Sequence, residues 1–166
     1  MFRHVLIIVA IAIQSDITPS VTVAQDAPTV EPTKKNQPEV VKLESADQLV
    51  GSWKFVSVLR DGKQAPDDRL KGRVVITKEK LTLKSDDGDF EMSYELNKTK
   101  QPTQITVTIT ASPFGGEGVS TQGIVQLTND NRLHLCYAEV GADAPASFDS
   151  PKGKTDRAIV FERIEK

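Results

Sequence analysis

The chain has 166 residues, with 21 Lys and Arg against 23 Asp and Glu and a formal net charge of −2. That balance, without a cluster of basic residues, excludes the cationic footprint needed for nucleic-acid binding or for adsorption to anionic lipid. The single cysteine, Cys136, cannot close an intramolecular disulfide. His134, the one histidine beyond the N-terminal segment, cannot build a zinc site of several imidazoles.

The first segment, MFRHVLIIVAIAIQSDITPSVTVAQ, opens with Arg3 and His4 and runs apolar from Val5 to Ile13. Such a run is much shorter than the roughly 20 residues that span a bilayer. It matches the apolar stretch of a secretory signal, and the small-residue site Thr22-Val23-Ala24 follows it. Residues 1–24 are therefore expected to be a signal peptide. Export to the periplasm or cell envelope follows, with no transmembrane segment after removal; an uncleaved anchor is the alternative. No cysteine lies near enough to carry lipid at a processed N-terminus. Residues 25–42, QDAPTVEPTKKNQPEVVK, hold three prolines and no aromatic. They cannot bury enough apolar surface to offset the entropy of ordering, so a disordered Pro-rich linker is expected. Residues 43–166 suffice for one domain with one core.

That domain opens with ESADQLVGSW, in which Ser45 and Gln48 match a capping box and predict a short helical turn over 46–50, ending at Gly51. From there the period is two. WKFVSVLR places Trp53, Phe55, Ser57 and Leu59 on one face. A connection follows, with a second helical turn expected from Pro66. RVVIT (73–77) and LTLK (81–84) read as short strands, and Asp87-Gly88 as the hairpin turn before FEMSYEL (90–96). QITVTIT (104–110), VSTQGIVQL (119–127), RLHLCYA (132–138) and RAIVFERI (157–164) complete eight strands. Turn signals recur between them, and a longer loop precedes the last. The pattern predicts an all-β fold, an eight-stranded antiparallel up-and-down barrel with a short N-terminal helical turn. Closure removes exposed edges.

In such a barrel the last strand lies antiparallel to the first, which brings Arg163 close to Trp53. A guanidinium over the indole would add a cation–π contact of about 1 kcal/mol to the burial of the ring. Gly51, with no side chain, lets the backbone cross the barrel floor closely. Gly51, Trp53 and Arg163 are thus expected to form a structural plug. Gly51-x-Trp53-Lys54, together with the closing VFERIEK, resembles the calycin superfamily of lipocalins and fatty-acid-binding proteins. LVGSWKFVSVLRDGKQAP, LNKTKQPTQITVTI, GIVQL and LHLCYAEVGADAPASF are similar, in that order, to an exported lipocalin-like domain family expanded in planctomycete bacteria. The likeness covers about residues 46–164 and implies a lipocalin-like barrel without an established activity. The strands are shorter than those of ligand-carrying lipocalins, which speaks against a roomy interior.

No pattern supports catalysis, and the chain is expected not to be an enzyme. His134 and Cys136 share a strand face, but alternation turns Leu133, Leu135 and Tyr137 inward and leaves that pair outside. The carboxylates of SDDGDFE lack the spacing of a calcium loop and suit a solvated hairpin tip. The glycine-rich SPFGGEG lacks the Lys of a phosphate cradle and reads as a mobile rim loop exposing Phe114. No cofactor is expected. The interior is the remaining functional possibility, with Phe55, Met92, Tyr94, Tyr137, Arg157 and Phe161 as candidate ligand-binding residues. The aromatics and Met would line the cavity, and Tyr94, Tyr137, Arg157 or Arg163 would orient a head group. Two functions stay open on these residues. One is a carrier of a small apolar or amphipathic ligand; the other is an interaction or structural envelope module with a filled barrel. No feature identifies a protein partner.

Overall fold

The computed structural model describes residues 38–165. The expected signal peptide and most of the linker lie outside the described residues. Where the sequence alternates, strands form: β1 (Val40–Val41), β2 (Gly51–Arg60), β3 (Lys63–Gln64), β4 (Arg73–Ile76) and β5 (Lys80–Lys84). They continue as β6 (Phe90–Asn97), β7 (Thr103–Ala111), β8 (Ser120–Thr128), β9 (Arg132–Tyr137) and β10 (Arg157–Arg163). Two 3-10 turns, Ala46–Leu49 and Asp67–Leu70, sit at the two helical positions expected. The first is held by the Gln48 side chain, whose oxygen accepts from the Ser45 and Glu44 amides at 3.2 and 2.6 Å.

Eight strands close into an antiparallel barrel in the order β2-β4-β5-β6-β7-β8-β9-β10, with β10 returning to β2. The two short strands lie off this ring. β3 pairs with the end of β2, and β1 pairs with the end of β8, Val40 opposite Thr128 and Val41 opposite Leu127. Val40 and Val41, inside the expected linker, thus join the sheet, and Leu43 is buried in the core.

One end of the barrel is sealed. Trp53 is fully buried there, its indole N–H donating to the Leu49 carbonyl at 2.9 Å. Arg163 is its cross-strand partner, and the guanidinium carbon lies 4.3 Å from the centre of the indole. The same guanidinium donates to the carbonyls of Val50 and Gln48, each at 2.7 Å, and so ties the 3-10 turn under the ring. Gly51 sits between them with φ of +151°, and a Cβ there would come within 2.7 Å of Arg163 Nη1. Any side chain would push the guanidinium off the carbonyls it satisfies. Leu49, Ile76, Leu81, Ile105 and Leu133 complete a tight floor.

β2 carries the main irregularity. Against β10, Ser57 pairs with Val160 while Phe55 pairs with Phe161, so Val56 is an extra residue in a β-bulge. The bulge reverses the alternation beyond Phe55. Val58 packs with the barrel core, whereas Leu59, expected inside, packs outside with Ile124, Cys136 and Ala158. That correction follows from a single inserted residue, since side-chain direction in a strand has period two. The outer cluster is covered by the segment between β9 and β10, which brings Ala144 and Phe148 onto it. Ser150 anchors this cover. It is fully buried, and its hydroxyl accepts from the Asp61 amide at 2.9 Å and donates to the Asp156 carbonyl at 2.5 Å.

Candidate functional site

Opposite the sealed floor, the barrel opens into a cavity of about 710 Å³. Its wall comes from inward positions of all eight barrel strands, and it is mostly apolar, with Phe55, Leu83, Phe90, Met92, Ile109 and Phe161 among its residues. Eight strands leave an interior that side chains can fill or that holds one small ligand. This one is not filled at the open end. The volume lies within the range of small-molecule pockets, about 300–1,000 Å³. Strand shortness, which spoke against a roomy interior, does not decide the volume. Strand number sets the barrel's width, and here the large side chains of the floor end below the mouth.

The polar groups gather on one side of the mouth. Register places Arg60, Arg157 and Tyr137 in a row across β2, β10 and β9, directly opposite one another. Arg157 donates from Nη1 to the Tyr137 hydroxyl oxygen at 3.3 Å, with its guanidinium carbon 5.9 Å from the ring centre. Arg60 lies 3.9 Å from Glu139, and both side chains are about half exposed. The row ends on Gly123 of β8, the partner of Tyr137. A Cβ on Gly123 would lie 2.7 Å from the Cys136 carbonyl and 3.2 Å from Tyr137 Cβ, so glycine there lets the Tyr137 side chain stand where it does. The next row inward pairs Val58 with Ile159 and Ile159 with Leu135, and is wholly apolar.

Across the mouth the rim is apolar. Phe114 is 72% exposed, yet its ring centre lies 5.6 Å from that of Phe90 on the cavity wall. Val119 also lines the opening and is exposed, and Val140, next to Glu139, adds an exposed apolar residue on the charged side. The mouth thus has a charged side and an apolar side.

Of the residues singled out in the sequence, Phe55, Met92, Tyr137, Arg157 and Phe161 all line this cavity. Tyr94 does not. It lies in the floor, its hydroxyl donating to the Thr77 carbonyl at 2.7 Å, and burial raises its phenol above the ordinary value. One residue pair along β6, from Met92 to Tyr94, is enough to pass from cavity wall to floor. Arg163 belongs to the floor with Gly51 and Trp53, at the end opposite the mouth, so it is not positioned to meet a head group in the cavity. Arg60 was missed. Regular alternation from Trp53 turns it outward, and only the bulge at Val56 brings it onto the cavity lining.

His134 and Cys136 lie on the outer face of β9. Cys136 is fully buried under the covering segment, its thiol 3.8 Å from the Asp149 carbonyl. Burial, reinforced by Asp156 and Asp149, pushes the thiol up to about 11. A thiol held protonated in this way is a poor nucleophile. His134 meets the edge of Phe148 at 6.1 Å between ring centres, and burial lowers its imidazole below the ordinary value. Among the described residues, no group of three His, Cys, Asp or Glu side chains is placed to hold a metal ion.

Neither a scan against protein-family models nor searches of curated proteins and of solved structures finds a match to this chain. What the site can do rests on its geometry. A half-open apolar chamber with charge on one lip can hold a molecule with an apolar body and a polar end.

Proposed function

We propose that this chain is an exported, lipocalin-like binding domain that holds a small apolar or amphipathic molecule in its barrel and performs no chemistry on it. One observation carries the reading: a chamber of about 710 Å³ at one end of a barrel whose other end is tightly packed. A structural module with a filled interior would have no use for it. The protonated, covered thiol of Cys136 supports a role without nucleophilic catalysis. The apolar run followed by Thr22-Val23-Ala24 supports export, and the barrel supports kinship with the exported lipocalin-like domains that the sequence resembles.

Thermal unfolding across a panel of fatty acids, alcohols and isoprenoids tests the reading. A ligand present at 100 times its Kd is expected to stabilise the fold by about 2.7 kcal/mol, a clear rise in Tm. Native mass spectrometry of protein purified from its own cell envelope is expected to show a non-covalent adduct lost on denaturation. A clean unliganded mass together with no thermal shift across the panel would overturn the proposal. It would then favour an interaction module that uses the exposed rim residues Phe114 and Val140.

A further inference from the structure

The charged residues lining the cavity are Arg60, Arg157 and Glu139. Arg60 and Arg157 are direct cross-strand partners. Opposed residues of an antiparallel pair project from the same face with Cβ atoms about 5 Å apart, and like charges so placed repel. Nothing in the sheet requires this arrangement, because regular alternation would send Arg60 outward. The bulge at Val56 produces it, and bulges beside binding sites commonly re-aim side chains. Glu139 relieves the repulsion in part, through a long 3.9 Å contact to Arg60 alone. Arg157 has the neutral Tyr137 hydroxyl at 3.3 Å. Two guanidinium groups against one carboxylate leave one positive charge in surplus, at the lip of an apolar chamber.

We infer that the row Arg60–Arg157–Tyr137 is a binding site for the singly charged anionic head, a carboxylate or sulfate ester, of an amphipathic ligand whose tail occupies the barrel. The inference rests on the carrier reading above and adds the ligand's charge and its orientation, head outward. The planar fork of each guanidinium matches the two oxygens of such a head. In the Arg157–Tyr137 hydrogen bond the phenol oxygen accepts, so the Tyr137 proton remains free to donate to the same anion. Directly below, Val58, Ile159 and Leu135 offer only apolar contact, so the charged end has no partner deeper in that wall. The apolar lip around Phe90 and Phe114 faces the tail's side of the entrance.

The test uses the full chain and four probes with the same ten-carbon tail: decanoate, decyl sulfate, 1-decanol and decyltrimethylammonium. Each is titrated calorimetrically below its aggregation concentration. Decanoate and decyl sulfate are expected to bind about tenfold more tightly than 1-decanol, the gain of one charge-assisted contact, with the cation weakest. Arg60→Met and Arg157→Met are expected to erase that advantage, lowering the affinity for the two anions about tenfold and that for decanol by much less, and Arg→Lys at either position to restore part of it. Near-ultraviolet circular dichroism of the buried Trp53 checks that each variant keeps its fold. Equal affinity for decanoate and decanol, or an anion preference that survives both Met variants, would overturn the head-group site while leaving the carrier intact. Binding of none of the four probes would overturn the carrier reading, and the head-group site with it.

Discussion

Arg163 performs two tasks with one guanidinium. It covers the indole of Trp53 and it satisfies the carbonyls of Gln48 and Val50, which the 3-10 turn leaves without partners. Replacing it with Met keeps the apolar cover but orphans both carbonyls. Arg163→Met is expected to cost about 2–3 kcal/mol, read as a fall in the denaturation midpoint with an unchanged slope. Cys136 makes the opposite kind of contribution, through a proton. Its thiol sits at about 11 in the fold against an ordinary 9.0, so the folded state holds that proton more firmly than the unfolded chain. Its contribution is whole below pH 9 and drains away as the pH rises toward 11. Denaturation of the protein and of Cys136→Ala, compared from pH 8 to 11, is expected to show wild-type stability falling relative to the variant over that window. A constant difference would mean that the thiol is not shielded.

Most of this architecture is legible in the sequence because strands half-buried in a barrel wall write their direction in alternating residues. Phe90, Met92, Tyr94 and Leu96 mark β6, and Ile105 and Val107 mark β7, as plainly as any structure could. β2 is different. Its run Phe55-Val56-Ser57-Val58-Leu59 offers an apolar residue on both faces, so the position of an inserted residue leaves no trace in composition, and Leu59 and Arg60 are read to the wrong sides. The outer cluster is hidden for a related reason: a strand covered on both faces loses its polar register, as Ile124 and Cys136 show. Two substitutions one residue apart separate the faces. Val58→Asp places a charge inside the barrel and is expected to lower global stability by about 2–4 kcal/mol. Leu59→Asp is expected to act on the covering segment, raising amide hydrogen exchange across residues 139–156 while β4 to β7 stay protected. Equal effects of the two would mean that Val58 and Leu59 do not face opposite sides of the barrel wall. Ser150→Ala is expected to loosen the same segment, since two part-buried backbone partners lose their bond at about 1–3 kcal/mol in total.

At the largest scale, the described domain is a closed ring of eight strands with a packed end and an open one, and the two ends draw on different physics. The floor is dense, cross-braced by one arginine and closed by the only tryptophan in the chain. The mouth is half apolar and half charged, and its loops carry residues such as Phe114 that the core does not use. This division makes the single indole a reporter on the floor alone. Its emission is expected to stay nearly constant when a ligand enters the mouth and to redden only on global unfolding; a strong change on binding would mean that the ends are coupled. The chain also enters the domain at the packed end, where Val40 and Val41 run along the last residues of β8. Val40 and Val41 therefore add to the sheet at the end away from the cavity mouth, so a substitution there is felt by the floor and leaves the ligand's entrance untouched.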